Sequence, residues 1–478
     1  MSGSLTKKYG LFTAITMVVG IVMGSGVFFK AQNVLNITNG NVPLGVIAWA
    51  IGGLVMISGA FCFATMATKY EKVNGLVDYA EATCGKSYSY YIGWFITTIY
   101  YPAMTSVLAW VSARYTLVLF GHTDQTSNTC LVLAGLYLCL SFTMNALAPI
   151  VAGKFQVSTT VIKLIPLSLM AVVGIIYGLF VTPNGAEMPN LLANFSGHSM
   201  REDISTLFAA VVATIFAYEG WIIATSINAE IKNAKKNLPI ALVLGTLIIM
   251  VVYIVYYIGV AGGAEVSALQ KHGATIAFTN IFGNFFGTIL NAFVAVSCIG
   301  TLNGLMLGCT RGLYALAARN MGPKPKIFST VDPVTNMPAN SAIFGLFVCA
   351  MWLFYFYAAN LGGLFIVEYD PETANQLVKL FGTFDVEKGK ILVNWFGFDS
   401  SEIPIVTVYA LYIPIFIRML GFKELSVFKR IVMPTIAIIA SLFTVFATVY
   451  AHKWGTLYYL VIFAVIMLIG KAFKGSDV

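Results

Sequence analysis

Charged side chains are scarce in this chain of 478 residues. Only 10% of the residues are Asp, Glu, Lys or Arg, whereas 58% are hydrophobic. A soluble globular protein needs far more polar residues to cover its surface. The composition therefore excludes a soluble protein and predicts an integral membrane protein.

Histidine and cysteine are also few. The four histidines, His122, His198, His272 and His452, fall in predicted outer loops, and the seven cysteines are an odd number without metal-ligand spacing. We therefore predict no disulfide framework, no metal and no cofactor. Because no Ser/His/Asp set falls within the apolar segments, the sequence also argues against an enzyme.

Apolar runs long enough to cross a bilayer recur along the whole chain, and each needs roughly 20 residues. About twelve such runs predict an all-α membrane protein with a single domain over residues 1–478. We expect the first run to stay as a span, since it is too long for a signal-peptide core. The predicted spans are 11–34, 43–68, 88–119, 130–150, 157–181, 204–229, 238–262, 276–302, 339–358, 403–420, 430–450 and 456–473.

Lysine and arginine concentrate in alternate loops between these runs. Placing the N-terminus inside puts Lys69, Lys235, Lys236, Arg319 and Lys429 in the cytoplasm. This bias follows the positive-inside rule and predicts that both termini are cytoplasmic. The net charge of +8 then reflects the loop asymmetry and does not indicate a nucleic-acid partner.

The first span carries an interruption at residues 22–26. Two glycines around a serine weaken a helix where no water can repair it, and unwound backbone at membrane depth lines a cavity or is buried in protein. The amides of Ser25 and Gly26 would then open a second half-helix, whose positive end suits a carboxylate. The same Gly-Ser-Gly pattern is typical of a packing face between helices. The residues alone leave both interpretations open.

The sixth span carries a second interruption at Glu219 and Gly220. A carboxylate at that depth is costly and indicates function, although it also fits a structural carboxylate paired with another helix. Breaks in the first and sixth spans occupy corresponding positions of two inverted repeats, and such a pair is typical of a secondary-transporter site. We predict repeats over about 11–181 and 204–420, followed by two extra helices over about 430–473.

Lys163 lies within the fifth predicted span. Such a lysine either snorkels to the surface as an anchor or points inward. An inward amine needs backbone carbonyls or hydroxyls as partners. Near a broken helix it would be a candidate proton site or gating latch.

Two loops between spans are long. Residues 66–89 carry charges and glycines, which fits a short helix or a re-entrant element. Residues 361–402 are polar and aromatic, and a loop of that length is either functional or disordered. The sequence does not distinguish these possibilities.

Four stretches resemble motifs of the amino acid–polyamine–organocation (APC) transporter superfamily, and within it of the bacterial relatives of the L-type amino acid transporters. The resemblance extends over nearly the whole chain, except the outer loop 361–402. The stretches are residues 24–28 (GSGVF), 216–221 (FAYEGW), 230–239 (EIKNAKKNLP) and, after the eighth predicted span, 302–304 (LNG), 310–311 (TR) and 317–320 (AARN).

The resemblance implies the leucine-transporter fold, with 5+5 inverted repeats and broken helices 1 and 6, and amino acid transport by alternating access. It places the substrate carboxylate on Ser25 and Gly26, and the ammonium on carbonyls near Val22 and of Phe216. Phe216 would cap the site, and Trp221 would shape it. The full predicted substrate-binding set is Val22, Met23, Gly24, Ser25, Gly26, Phe216, Ala217, Glu219, Gly220 and Trp221.

Lys163 matches a lysine that the family places where sodium-coupled relatives hold sodium. This match implies sodium-independent exchange, with proton-coupled symport as the alternative and a channel or substrate sensor on the same fold as a further one. The acid at Glu219 resembles members that accept cationic amino acids, although some relatives with neutral substrates carry acids there too.

Animal relatives of this type pair with a glycoprotein through a cysteine in the loop after the third span. Residues 121–128 contain no cysteine. We therefore expect a bacterial protein of the plasma membrane that works without a glycoprotein heavy chain, as a monomer or weak homo-oligomer. Its partners would be the lipid bilayer and an amino acid substrate.

Overall fold

The structure is a computed structural model that describes residues 6–70, 74–122, 127–183, 186–196, 206–386 and 388–474. Parts of three predicted loops, residues 71–73, residues 123–126 and His198, lie outside this described part of the chain. The single domain predicted over residues 1–478 therefore extends at both ends beyond what the structure describes.

The first half of the chain is helical throughout its described part. Its helices are α1 (Leu11–Val22), α2 (Ser25–Ile37), α3 (Val42–Ala67), α4 (Gly75–Cys84), α5 (Lys86–Phe95), α6 (Tyr101–Leu119), α7 (Asn128–Leu147), α8 (Pro149–Leu169), α9 (Ile175–Phe180) and α10 (Asn190–Phe195). A π-helical turn joins α5 to α6 (Ile96–Tyr100), and another joins α8 to α9 (Met170–Gly174).

The second half adds a small sheet to its helices. Its helices are α11 (Leu207–Tyr218), a 3₁₀ segment (Trp221–Glu230), α12 (Ala234–Gly263), α13 (Val266–His272), α14 (Ala274–Phe282), α15 (Asn284–Ala317), α16 (Pro325–Phe328), α17 (Ala339–Phe356), α18 (Gln376–Phe381), α19 (Pro404–Met419), α20 (Met433–His452) and α21 (Trp454–Ala472). The strands are β1 (Ile366–Tyr369), β2 (Thr383–Asp385) and β3 (Lys390–Asn394), and further π-helical turns cover Tyr357–Leu361 and Phe428–Val432.

Ten of the described helical segments are long and apolar enough to cross a membrane. The continuous segment from α5 to α6 and the shorter apolar helix α19 complete the predicted set. The multi-pass membrane architecture is therefore confirmed. An even number of crossings brings the chain back to the side where it began. We call that side the terminal end of the bundle, and the side carrying residues 362–402 the loop end.

The eighth span was predicted wrongly. We predicted 276–302, but Gly283, at φ +83°, ends α14, and α15 runs from Asn284 to Ala317. Averaged over a window, the hydropathy of α14 and α15 gives one continuous apolar run. The left-handed backbone at Gly283 nevertheless separates the two helices. Residues 302–304 and 310–311 of the fourth motif consequently lie inside α15, and residues 317–320 lie at its C-terminal end.

Glycines allow α12 to approach the end of the fifth span closely. A Cβ atom added at Gly259 of α12 would lie 2.1 Å from the carbonyl oxygen of Met170, and one at Gly262 would lie 2.2 Å from that of Gly174. Small residues permit this backbone contact in membranes, where lipid tails provide little hydrophobic drive for helix association. The contact fixes α12 against the end of the fifth span.

Aromatic side chains connect α3, α11 and α12. The ring of Trp49 meets Tyr218 and Tyr253 edge-on, at centroid distances of 5.6 and 5.5 Å. The Tyr218 hydroxyl donates a hydrogen bond to the carbonyl oxygen of Trp49 at 3.0 Å. These contacts hold α11 in place immediately before its break.

Residues 362–402 form an ordered cap at the loop end. In the described part of this segment, β3 pairs antiparallel with both β1 and β2, and Phe381 packs on Trp454 of α21 with ring centroids 4.2 Å apart. At the terminal end, residues 75–84 form the ordinary helix α4, capped by the Asn74 side chain. The described part of residues 66–89 thus contains a short helix, and the described part of residues 362–402 is folded.

Candidate functional site

The first break separates α1 from α2 at Met23 and Gly24. Met23 has φ −69° and ψ 82°, and Gly24 has φ −116° and ψ −143°, so neither continues the helix. The carbonyl oxygens at the end of α1 therefore lose their partners within the helix. They form the negative end of the α1 dipole.

Lys163 of α8 fills this negative end. Its Nζ donates hydrogen bonds to the carbonyl oxygens of Gly20, at 2.8 Å, and Met23, at 2.6 Å, and lies 3.2 Å from the Thr301 hydroxyl. The side chain is fully buried, and no carboxylate of the described residues forms an ion pair with it. The structure thus places the lysine inward, which is one of the two positions that the sequence left open.

The second break separates α11 from the 3₁₀ segment. Glu219 is extended, at φ −71° and ψ 163°, and Gly220 has φ +101°, a conformation that favours glycine. A Cβ atom at Gly220 would lie 3.0 Å from Cγ2 of Ile21. The two breaks therefore lie against each other. The sequence located the second break but did not predict that the chain continues as a 3₁₀ segment.

Glu219 is buried among tyrosines. Its carboxylate accepts a hydrogen bond from the Tyr100 hydroxyl, and Tyr409 lies beside it. Among the described residues, no cation forms an ion pair with Glu219. The acid is therefore held by neutral donors rather than by a salt bridge.

A small cavity, in which the centre of a water molecule could occupy about 20 Å³, lies between the two breaks. Six predicted substrate-site residues line it: Val22, Gly24, Gly26, Phe216, Ala217 and Glu219. The sequence analysis missed five further lining residues: Ile21, Met104, Leu108, Thr301 and Leu305. No local signal marks the four apolar ones, because in a membrane span an apolar residue facing a cavity resembles one facing lipid. Thr301 is one of several hydroxyl residues in the same predicted span.

The remaining predicted site residues lie around this cavity in different roles. Met23 contacts Lys163 through its carbonyl oxygen, Ser25 begins α2, and Gly220 adjoins Ile21. Trp221 packs on α3, with the centroid of its ring 5.9 Å from that of Phe63.

Gly26 also has a packing role. A Cβ atom there would lie 2.8 Å from the Cα atom of Ala217, so α2 and α11 meet through backbone. Gly26 therefore packs against α11 and also lines the cavity. The close approach that this glycine permits brings the two breaks together.

The carbonyls predicted to hold an ammonium already have partners in this conformation. The Val22 carbonyl oxygen accepts a hydrogen bond from the Tyr253 hydroxyl at 3.0 Å, and the Phe216 carbonyl oxygen accepts one from the Glu219 amide at 3.1 Å. Because a carbonyl oxygen has two lone pairs, an added donor would share or replace these bonds.

The third and fourth motifs meet at the terminal end. Glu230 accepts from Arg311 Nε at 2.5 Å, and Lys8 Nζ lies 2.8 Å from the same carboxylate. Tyr9 and Ile231 form a parallel bridge beside them. This network joins the N-terminal segment to the end of the sixth span and to α15 at the terminal end.

The sequence profile of a known family, "Amino acid permease", matches residues 9–470. This match covers nearly the whole chain. The chain belongs to the amino acid permease family. The APC superfamily and its L-type branch, suggested by the motifs, are thereby confirmed, and the permease is a transporter rather than an enzyme.

Curated relatives of this permease include transporters from bacteria and animals. The chain is 31% identical over 342 residues to the "Serine/threonine exchanger SteT" of Bacillus subtilis, covering 70% of this chain and 73% of that protein. It is 25% identical over 399 residues to the human "b(0,+)-type amino acid transporter 1", covering 79% of each chain.

A solved structure agrees with the permease in fold. The crystal structure of MhsT in complex with L-phenylalanine superposes with a TM-score of 0.57 at 15% identity, covering 94% of this chain and 100% of that one. At this identity the match concerns the fold alone, and it confirms the leucine-transporter fold that the family resemblance implied.

Proposed function

We propose that this permease exchanges amino acids across the plasma membrane without sodium, by alternating access to the cavity between the two breaks. The observation that carries the proposal is the position of Lys163 Nζ between the carbonyl oxygens of Gly20 and Met23. An ammonium fixed there occupies the oxygen cage that a cation would need. The name of the Bacillus relative, an exchanger, supports exchange.

The substrate roles follow from the orientation of the half-helices. In this proposal the amides of Ser25 and Gly26, at the start of α2, receive the substrate carboxylate, because the positive end of the helix dipole lies there. The carbonyl oxygens of Val22 and Phe216 receive the ammonium. Phe216 acts as the gate residue, and repeats over about 11–181 and 204–420, with extra helices over about 430–473, supply the alternating movement.

The test is counterflow into proteoliposomes. Vesicles loaded with unlabelled serine or threonine should accumulate the same labelled amino acid from outside, equally well in sodium and in choline buffer. Vesicles loaded with buffer alone should accumulate little. Uptake that requires sodium, or that ignores the internal amino acid, would refute sodium-independent exchange.

Proton-coupled symport is a second candidate, favoured by one observation. Lys163 and Glu219 are buried ionisable groups beside the first and second breaks, and neither forms an ion pair within the described residues. Buried groups of this kind are typical of proton relays. A pH gradient, acidic outside, would then drive accumulation into vesicles that contain no amino acid.

We further propose that both termini lie in the cytoplasm of a bacterial cell and that the permease works as a monomer or weak homo-oligomer without a glycoprotein heavy chain. The lysines and arginines of the terminal-end loops support the orientation. Counterflow by the purified chain alone would support independence from a heavy chain. A requirement for a second polypeptide would contradict it.

A further inference from the structure

A second cavity lies at the terminal end of the bundle, between the N-terminal segment and α8. The centre of a water molecule could occupy about 420 Å³ of it. It shares no lining residue with the cavity between the two breaks. Its lining combines cationic, hydroxyl and apolar side chains and includes Lys8, Thr13, Ile150, Lys154, Val157 and Ser158.

One wall of this cavity is the N-terminal segment, which is fixed against the rest of the bundle. The Tyr9 amide donates to the carbonyl oxygen of Glu230 at 3.0 Å, and the Lys232 amide donates to the carbonyl oxygen of Tyr9 at 2.8 Å. The buried Tyr9 ring lies against α8, where a Cβ atom at Gly153 would lie 3.0 Å from its Cε1 atom. Lys8 is therefore held at one side of the cavity.

The cavity carries an excess of positive charge. Glu230, the carboxylate that contacts Lys8, is already paired with Arg311 through Nε at 2.5 Å and Nη2 at 3.3 Å. These three side chains together have one positive charge in excess. Lys154 on the α8 side adds another, and no carboxylate of the described residues forms an ion pair with it. An anion in the cavity would face both charges.

The polar groups of the lining suit a phosphate ester. Lys8 and Lys154 supply ammonium groups, and Thr13 and Ser158 supply hydroxyl groups. A phosphate ester presents several acceptor oxygens, and charge-assisted hydrogen bonds to such oxygens are about twice as strong as neutral ones. Donors from both walls can therefore contact one phosphate group at the same time.

The cavity continues outward into an exposed apolar face of α8. Lys154 and Ser158 are exposed, and Val161, Ile165 and Leu169 follow on the same face at helical spacing, 50%, 46% and 44% exposed. From Lys154 to Ile165 the helix rises about 16 Å, close to the roughly 15 Å hydrocarbon depth of one leaflet. A phosphate at Lys154 would therefore be in place for acyl chains that lie along this face.

We propose that this cavity binds the phosphate headgroup of an anionic phospholipid from the leaflet at the terminal end of the bundle. Lys8 and Lys154 bind the phosphate from two sides, and the acyl chains lie along the exposed face of α8. Basic pockets between membrane helices are suited to such headgroups. The bound lipid would connect the N-terminal segment to α8.

The test measures lipid binding to the full purified chain. Native mass spectrometry in a neutral detergent compares phosphatidylglycerol with phosphatidylcholine of the same acyl chains, so that only the headgroup differs. We expect the first phosphatidylglycerol molecule to bind more tightly. Lys154→Gln should weaken its binding about tenfold, the effect of one lost contact to a charged group. Lys154→Arg keeps the charge and should bind nearly as the unsubstituted chain does.

A second variant tests the cavity independently of charge. Ser158→Phe fills the cavity from an exposed position of α8 and should also weaken phosphatidylglycerol binding. The matched control is Lys236→Gln, which changes an exposed lysine of α12 outside the cavity. A lipid that binds the folded chain raises its melting temperature, and this increase should be smaller in Lys154→Gln than in the control.

Inorganic phosphate and glycerol 1-phosphate distinguish a free phosphate from a lipid. Stabilisation by either of them equal to that by phosphatidylglycerol at the same concentration would refute the lipid site. Equal binding of the two lipids would overturn it too, as would Lys154→Gln and Ser158→Phe variants that bind phosphatidylglycerol as the control does. None of these measurements requires transport, so failure of the lipid site leaves the proposed exchange standing.

Discussion

The Nζ atom of Lys163 donates a hydrogen bond to the carbonyl oxygen of Met23 across 2.6 Å, and this contact joins α8 to the first break. It spans 140 residues of sequence. The bond satisfies a carbonyl that the break has released from α1, and the fully buried amine gains oxygen partners. The conformation of the break therefore depends on the hydrogen bonds that the Lys163 amine donates.

Replacement of Lys163 by alanine should impair counterflow at least about tenfold, because the carbonyls of Gly20 and Met23 lose a donor. The Thr301 hydroxyl, 3.2 Å from both oxygens, remains as a neutral donor. The lost charged donor, worth roughly 1.5–3 kcal/mol for a hydrogen bond to a charged group, changes the balance between conformations of α1. Initial rates in proteoliposomes at several pH values measure the effect. Lys236→Ala, at an exposed position on α12, is the control. Unchanged rates at every pH would make Lys163 a structural residue only.

Replacement of Glu219 by glutamine should change the preference between cationic and neutral amino acids. The amide keeps nearly the same shape beside Tyr100 but cannot carry a negative charge next to the cavity, so binding of cationic substrates should weaken relative to neutral ones. A panel of unlabelled competitors in the counterflow assay measures the preference. Glu265→Gln changes an exposed carboxylate and should leave the competition profile intact. Identical profiles for Glu219→Gln would contradict a role in selectivity.

Replacement of Gly26 by valine should abolish counterflow. The new side chain would collide with the Ala217 backbone, since even a Cβ atom lies 2.8 Å from its Cα, and α2 would be displaced from α11. Gly135→Val is the control, because a Cβ atom there meets nothing within 4 Å. Gel filtration separates loss of the site from loss of the fold. Normal counterflow by the valine variant would contradict the assigned site.

Replacement of Gly259 by alanine should destabilise the helix bundle by about 1–3 kcal/mol, the usual cost of overpacking. The added methyl group would lie 2.1 Å from the Met170 carbonyl oxygen, and backbone cannot move aside as a flexible side chain does. Thermal unfolding in detergent measures the change, with Gly135→Ala as the matched control. Equal melting temperatures for the two variants would show that the close approach is not needed.

The two breaks could be located from the sequence because glycine and the family motifs coincide there. Gly24 and Gly220 interrupt their spans, whereas Gly52 and Gly53 lie inside the continuous helix α3, so glycine alone does not mark a break. The eighth span was misplaced for the opposite reason. Gly283 separates two apolar helices, and hydropathy averaged over a window does not register one left-handed residue.

The partners of the charged residues could not be predicted in the same way. Lys30 and Glu402 are 372 residues apart, and Glu230 meets Arg311 across 81 residues. Each pairing depends on how helices distant in sequence are rotated against one another. The composition and hydropathy pattern contain no information on that rotation, because lipid-facing and core-facing residues are equally apolar.

The sequence by itself determined the class of protein, the number of spans, the positions of the breaks and the family. It did so because a bilayer requires continuous apolar helices and because glycine acts locally on the backbone. Only the tertiary structure decided that Lys163 points at the broken end of α1, that Met104 and Leu108 line the cavity, and that residues 362–402 support Glu402. These facts arise from packing between distant segments, where close backbone approach and burial select the partner of each polar group.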